Sequence, residues 1–110
     1  MTELAFQRAA ETALDAIETR IEGAIDAAIL DVDIERQGNV ITLSFEDDSK
    51  IIVNSHSAAQ EIWVAARAGG FHFRLETAGR WIDGRSGDEL FAALSLRVSE
   101  QSGTAVVLSA

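Results

Sequence analysis

Phe6, Ala10, Leu14, Ile17, Ile21 and Ile25 recur every three or four residues, the spacing that lines one face of an α-helix. The pattern predicts a long amphipathic helix over residues 2–28. At Leu30 the period changes to two: Leu30, Val32 and Ile34 alternate with Asp31, Asp33 and Glu35. A strand here would turn one apolar face inward and carry three carboxylates on the other. Gln37-Gly38-Asn39 predicts a turn, and Ile41, Leu43 and Phe45 a second strand. Glu46-Asp47-Asp48-Ser49 then turns into a third strand over residues 50–54. A polar link at residues 55–57 precedes residues 60–67, whose β-branched and aromatic content predicts a strand that Gly69-Gly70 ends before another at residues 71–75. Thr77-Ala78-Gly79 predicts a hairpin turn into residues 80–83. Leu90, Phe91, Leu94 and Val98 then return to helical spacing across residues 88–101, with Ser86 or Asp88 available as the N-cap. An apolar patch at residues 105–108 is expected to dock along the core.

Helix, five or six short strands, helix is an α+β order. Hairpin-length connections imply a mainly antiparallel sheet with one buried face, covered by both helices: a two-layer sandwich with two helices on one face of a five- to six-stranded sheet. A chain of 110 residues without an internal repeat, linker or proline is expected to form a single domain over residues 1–110.

Composition removes several functions. No apolar run approaches the roughly 18 residues of a membrane span, so no membrane role is expected. The absence of cysteine excludes disulfides, thiolate metal sites and Cys nucleophiles. The first six residues show neither the basic start nor the apolar stretch of a targeting segment, so a cytoplasmic location is the expectation.

Charge adds more. Residues 1–48 hold 12 of the 18 acids against three arginines, and this imbalance is the entire net charge of −9. Glu11, Asp15, Glu18, Glu22 and Asp26 follow one another at intervals of four, three, four and four, a narrow stripe along the first helix. Like charges at these intervals repel by roughly 0.2–0.5 kcal/mol per pair, so the stripe weakens the helix that carries it. Excess acid disfavours nucleic-acid binding, which needs a basic face; it favours cations or a basic protein partner.

A sharp turn near residues 27–29 would bring Glu22 and Asp26 towards Asp31 and Asp33, extending the stripe into a ridge. Carboxylate oxygens suit hard ions such as Ca²⁺, Mg²⁺, Mn²⁺ and iron, and acids on exposed faces of regular elements would bind them weakly, other divalent cations competing. A solvated face serving only solubility is the competing reading. The run Asp31-Val32-Asp33-Ile34-Glu35 resembles the start of an EF-hand loop but fails as one, with Arg36 at the glycine position and Thr42 at the bidentate glutamate position. His72, between Phe71 and Phe73, reads as an outward strand residue and His56 as a solvated link residue. Neither has a helical i, i+4 partner for a metal. No nucleophile elbow or phosphate loop is present, and no enzyme is expected. Trp63 shares a strand face with Glu61, Ala65 and Arg67, opposite Ile62 and Val64. If the helices cover Ile62 and Val64, the indole stands on the open side of the sheet, where it suits a protein contact.

Asn54, Gln60-Glu61-Ile62-Trp63-Val64-Ala65-Ala66, Gly69-Gly70-Phe71-His72-Phe73 and Trp81-Ile82-Asp83-Gly84-Arg85-Ser86-Gly87, in this order and spacing, resemble the frataxin family and its bacterial branch in particular. The resemblance spans essentially the whole chain. It implies a small iron-binding protein that works with the iron–sulfur cluster assembly machinery, binding Fe²⁺ or Fe³⁺ on acids of the first helix and first strand that also face the cysteine desulfurase. The matching positions are Glu11, Glu18, Glu22, Asp26, Asp31 and Asp33; Glu18 and Glu22 would serve the partner too. Trp63, with Asn54 near it, corresponds to the family's partner-contacting sheet tryptophan. The expected protein is a monomer, with iron-driven oligomers left open. This chain departs from the family in having Glu61 where glutamine is frequent, no proline in the preceding link, and Thr19 and Gly23 where acids commonly pair, so the ridge is thinner. A ferroxidase or iron-storage protein is the alternative. An acidic nucleic-acid mimic is a second, which leaves Trp63 without a role.

Overall fold

The computed structural model describes residues 1–110. Helix α1 (Glu3–Asp26) starts at Thr2, whose hydroxyl accepts the Ala5 N–H at 3.0 Å and so satisfies one of the free amides of the first turn. Six strands follow: β1 (Val32–Gln37), β2 (Val40–Phe45), β3 (Lys50–His56), β4 (Glu61–Ala66), β5 (Gly69–Leu75) and β6 (Trp81–Asp83). Helix α2 (Leu90–Ser102) ends the regular structure. Each strand pairs antiparallel with the next in the order β1-β2-β3-β4-β5-β6, as the hairpin-length loops require.

The α+β sandwich expected from the pattern is the one observed. Val32, Ile41, Leu43, Ile51, Val53, Ile62, Val64 and Phe73 face inward and meet Phe6, Leu14, Ile17 and Ile21 of α1 and Leu90, Leu94 and Val98 of α2 in one core of 23 buried residues. Burying a large aliphatic side chain of this kind is worth roughly 1.5–3 kcal/mol. That gain sets the strand register, since a one-residue slip would turn every inward side chain to solvent. The open face of the sheet is therefore fixed too, and with it the position of Trp63.

Three local expectations need correction. The cap of α2 is neither Ser86 nor Asp88 but Glu89, whose carboxylate accepts the Phe91 and Ala92 N–H groups at 2.8 and 3.1 Å. Gly69-Gly70 does not end β4: Arg67-Ala68 makes the turn, Ala66 pairs with Gly69, and both glycines lie in β5. Residues 55 and 56, read as a polar link, are the end of β3, with Ser55 opposite Ile62 and His56 opposite Glu61. Inward burial of Ile62 carries the pairing beyond the polar residues, which a local reading could not register.

Two joints place the functional surfaces. Between α1 and β1, Ala28 takes a left-handed conformation at φ +58, and the Ile29 and Leu30 N–H groups both bond the Ala24 carbonyl. This is the sharp turn expected there. Past α2, the tail is held by two serines one helical turn apart: Ser99 Oγ bonds the Val106 N–H and carbonyl, and Ser95 Oγ does the same for Leu108. Val106 and Leu108 are thereby buried, as expected of the apolar tail.

Candidate functional site: an acidic edge and an aromatic sheet face

The stripe positions Glu11, Asp15, Glu22 and Asp26 are exposed along α1 and Glu18 is half-buried. Alternation along β1 sends Val32 and Ile34 inward and Asp33 and Glu35 to the open face, while Asp31 is exposed in the connector before the strand. The helix acids and strand acids thus flank the β1 edge from two sides. No group of three acids or histidines converges as a metal cage would require. Asp31 and Asp33 do line one shallow cleft together with Ser44 and Glu46. Glu46 was not singled out from the sequence, because only the β1–β2 pairing brings it beside them.

One cation belongs to this edge. Arg36 sits on the inward side of β1 near the strand's end and reaches α1, where Nη1 donates to Asp15 and, at 2.9 Å, to Glu18, while Nε donates to the Gly38 carbonyl. The Asp15 bond contributes most to raising the guanidinium pKa above its ordinary value; desolvation opposes it, and the Glu18 bond adds to it. Arg36 therefore neutralises part of the stripe and ties the helix to the edge strand. Sequence reading missed this pairing because the stripe was read on one helix, without the strand that packs beside it.

On the open face the neighbours are closer. Ile62 and Val64 are buried under the helices, so Trp63 stands on the other side, as the alternation requires. Its indole lies between two imidazoles: His56 stacks at 4.1 Å between centroids and 9° between planes, and His72 at 4.6 Å and 12°. The indole Nε1–H donates to Glu61 Oε1 at 2.8 Å; Glu61 Oε2 accepts from Arg74 Nε at 3.0 Å, and His72 Nδ1 is 3.7 Å from Oε1. Asn54 is the direct cross-strand partner of Trp63. The outward reading of His72 holds, whereas His56 is no solvated link residue: it plates the indole, and its Nδ1 accepts the Ala59 N–H at 3.3 Å. Asn54, Trp63 and His72 fall side by side on adjacent strands. The missed signal is register, which depends on placing the Arg67-Ala68 turn correctly.

Elsewhere, the run after Trp81 is shaped by Asp83, which is buried; its Oδ1 accepts the Arg85 and Ser86 N–H groups, at 2.7 and 3.4 Å, and its carbonyl accepts the Gly87 N–H. This carboxylate builds a loop rather than offering a ligand. At the β2–β3 turn, Asp47 is held below the usual carboxylate range first by Ser49 and then by Arg67.

No helix is long and apolar enough to cross a membrane. Residues 1–104 match the model of the frataxin-like domain. The chain is 52% identical over 110 residues to the iron-sulfur cluster assembly protein CyaY of Ralstonia pickettii, covering 100% of this chain and 96% of that protein. It is 55% identical over 108 residues to the protein of the same name from Cupriavidus necator, covering 98% and 96%. Those names denote an assembly protein, not an enzyme. Among solved structures, the frataxin of Psychromonas ingrahamii superposes with a TM-score of 0.89 at 33% identity over 100% of both chains. A trimeric frataxin from the yeast Saccharomyces cerevisiae, described as complexed with ferrous, superposes at 0.74 over 87% of both chains; at 24% identity that likeness concerns the fold alone. On the family match and these full-length relatives, the chain belongs to the frataxin family.

Proposed function

We propose that residues 1–110 act as one domain, an iron-binding regulator of iron–sulfur cluster assembly in the cytoplasm. Iron is its cargo. Glu11, Glu18, Glu22, Asp26, Asp31 and Asp33 bind Fe²⁺ or Fe³⁺ weakly and exchangeably, and the same edge docks on a basic surface of a cysteine desulfurase to modulate sulfur transfer. Trp63 and Asn54 meet a second component, the scaffold protein. The observation that carries this reading is the edge itself: exposed hard-oxygen donors flank β1 from two sides without converging, which suits a loosely held ion and an electrostatic contact better than a resident metal. The names of the full-length relatives supply the process. A ferroxidase reading would need several converging ligands, which no cluster of acids here provides.

The test uses Glu22→Lys/Asp26→Lys, which leaves the Arg36 bonds to Asp15 and Glu18 in place. At low salt, affinity for purified cysteine desulfurase should fall by about tenfold or more while thermal stability is kept, since like-charge repulsion along α1 is relieved. The difference should shrink as the Debye length falls towards ~8 Å. Unchanged affinity at low salt would overturn the docking claim.

A further inference from the structure

The sheet-face tryptophan does not present a bare indole, because His56 covers one ring face and His72 the other. We propose that this stack is a proton-responsive docking plate, whose partner binds when both imidazoles are neutral and is released as they are protonated. The proposal rests on the reading above that Trp63 contacts the scaffold protein.

Imidazole is the side chain whose charge changes across the physiological pH range, and here two of them lie over the two faces of the indole. His72 keeps 55% of its side chain exposed. Covering the plate removes water from both rings, and that loss costs far more for a charged ring than for a neutral one. His56 adds a second effect: its Nδ1 accepts the Ala59 N–H, which only an unprotonated nitrogen can do. Protonation there breaks the bond that ties the β3–β4 turn to the plate, the turn in which Gln60 is held at φ +54.

The surrounding charges do not cancel this response. From β4, Glu61 is the one carboxylate within ion-pair distance of either imidazole, 3.7 Å from His72, and it is already engaged by the Trp63 N–H and by Arg74 of β5. On the β2 side Asn54 faces Val40, and the residues after His56 are Ser57, Ala58 and Ala59, none of them charged. On the β6 side Arg74 faces Ile82, while the strand's carboxylate, Asp83, is buried on the inner face with Phe73. Glu61 therefore holds the indole and offsets part of the charge at His72, and His56 has no carboxylate within salt-bridge distance.

The test has two arms. In the isolated protein, the Trp63 indole N–H resonance, assigned by its loss in Trp63→Phe, is followed from about pH 7.5 to pH 5.5 with the imidazole resonances. It should move with them, and His56→Gln/His72→Gln should abolish the movement. In the second arm, affinity for purified iron–sulfur scaffold protein should fall about threefold to tenfold over the same range; the double variant, which lacks the plate's two outer rings, should bind less tightly at pH 7.5 and show no further fall towards pH 5.5. An indole resonance that stays fixed while the imidazoles titrate would overturn the proposal, as would an identical pH dependence in the double variant. If the scaffold does not bind at any pH, or binds Trp63→Ala as well as the wild type, the docking reading fails and takes the plate with it; the resonance arm still reports whether the stack senses protons.

Discussion

The acidic edge and the aromatic face are built on opposite plans. Along α1 and β1 the chosen residues are exposed or half-exposed, mutually repelling and tied at one point, where Arg36 bonds Asp15 and Glu18. On the open sheet face the groups around the indole hold one another: Glu61 bonds Trp63 and Arg74, and two imidazoles close on the ring. The first arrangement leaves the carboxylates free for ions and charged partners that come and go. The second fixes one shape at the middle of the sheet, where a partner must match it. A functional surface can thus be made from charge without geometry or from geometry with little charge, and this chain carries both.

The largest expected effect lies on the interlocked side. Trp63→Ala should leave the fold intact, because the indole is outside the core of 23 residues, yet remove both stacks at once. Each such contact is worth about 0.5–1.5 kcal/mol, so thermal unfolding should show a modest loss. Affinity for the scaffold protein should fall about tenfold or more, as for a central aromatic anchor. A collapse of stability with affinity per folded molecule unchanged would erase the contrast, making the indole a structural residue.

The two regions were not equally legible. The acidic stripe is a matter of spacing along one helix, and the strand acids of alternation along one strand, so Glu11, Glu18, Glu22, Asp26, Asp31 and Asp33 stand on exposed or half-exposed positions as their periods imply. The order of elements was equally open to reading, because each turn carries its own local residues. What escaped depended on pairs of elements. The bridge from Arg36 requires knowing that β1 lies beside α1. The cover over Trp63 requires the β3–β4 and β4–β5 registers, and the glycine pair pointed to the wrong turn because Gly69 and Gly70 belong to β5. Glu89 is not legible as a cap from the sequence, since a glutamate is a less usual N-cap than serine or aspartate. The role of each site in binding is a property of partners, which only the resemblance brought into view.

At the acidic edge, Arg36→Gln should have a smaller effect on stability. The substitution keeps most of the stem but ends the charged bonds to Asp15 and Glu18, and the loss should be about 1 kcal/mol given the exposure of those carboxylates. The edge then carries one more uncompensated negative charge. Isothermal titration with Fe²⁺ or Ca²⁺ should show tighter binding than in the wild type, by about twofold to fivefold for a single charge at a screened surface. Weaker binding would mean that Arg36 organises the carboxylates for the ion, so that the edge too depends on geometry.

The smallest effect is expected from Glu61→Gln, which separates charge from shape within the aromatic face. A glutamine oxygen can still accept the Trp63 N–H now held at 2.8 Å, so the indole should keep its place between the imidazoles. Its amide cannot pair with Arg74, and His72 loses the carboxylate 3.7 Å away. Arg74 is two-thirds exposed, and an ion pair of that kind contributes less than about 1 kcal/mol, so the shift in thermal midpoint should be slight. What should persist is the stack: the indole N–H resonance should keep its hydrogen-bonded position, and affinity for the scaffold protein should change by less than about threefold. A loss of affinity as large as that of Trp63→Ala would show that the Glu61 carboxylate itself meets the partner, and that the aromatic face also works through charge.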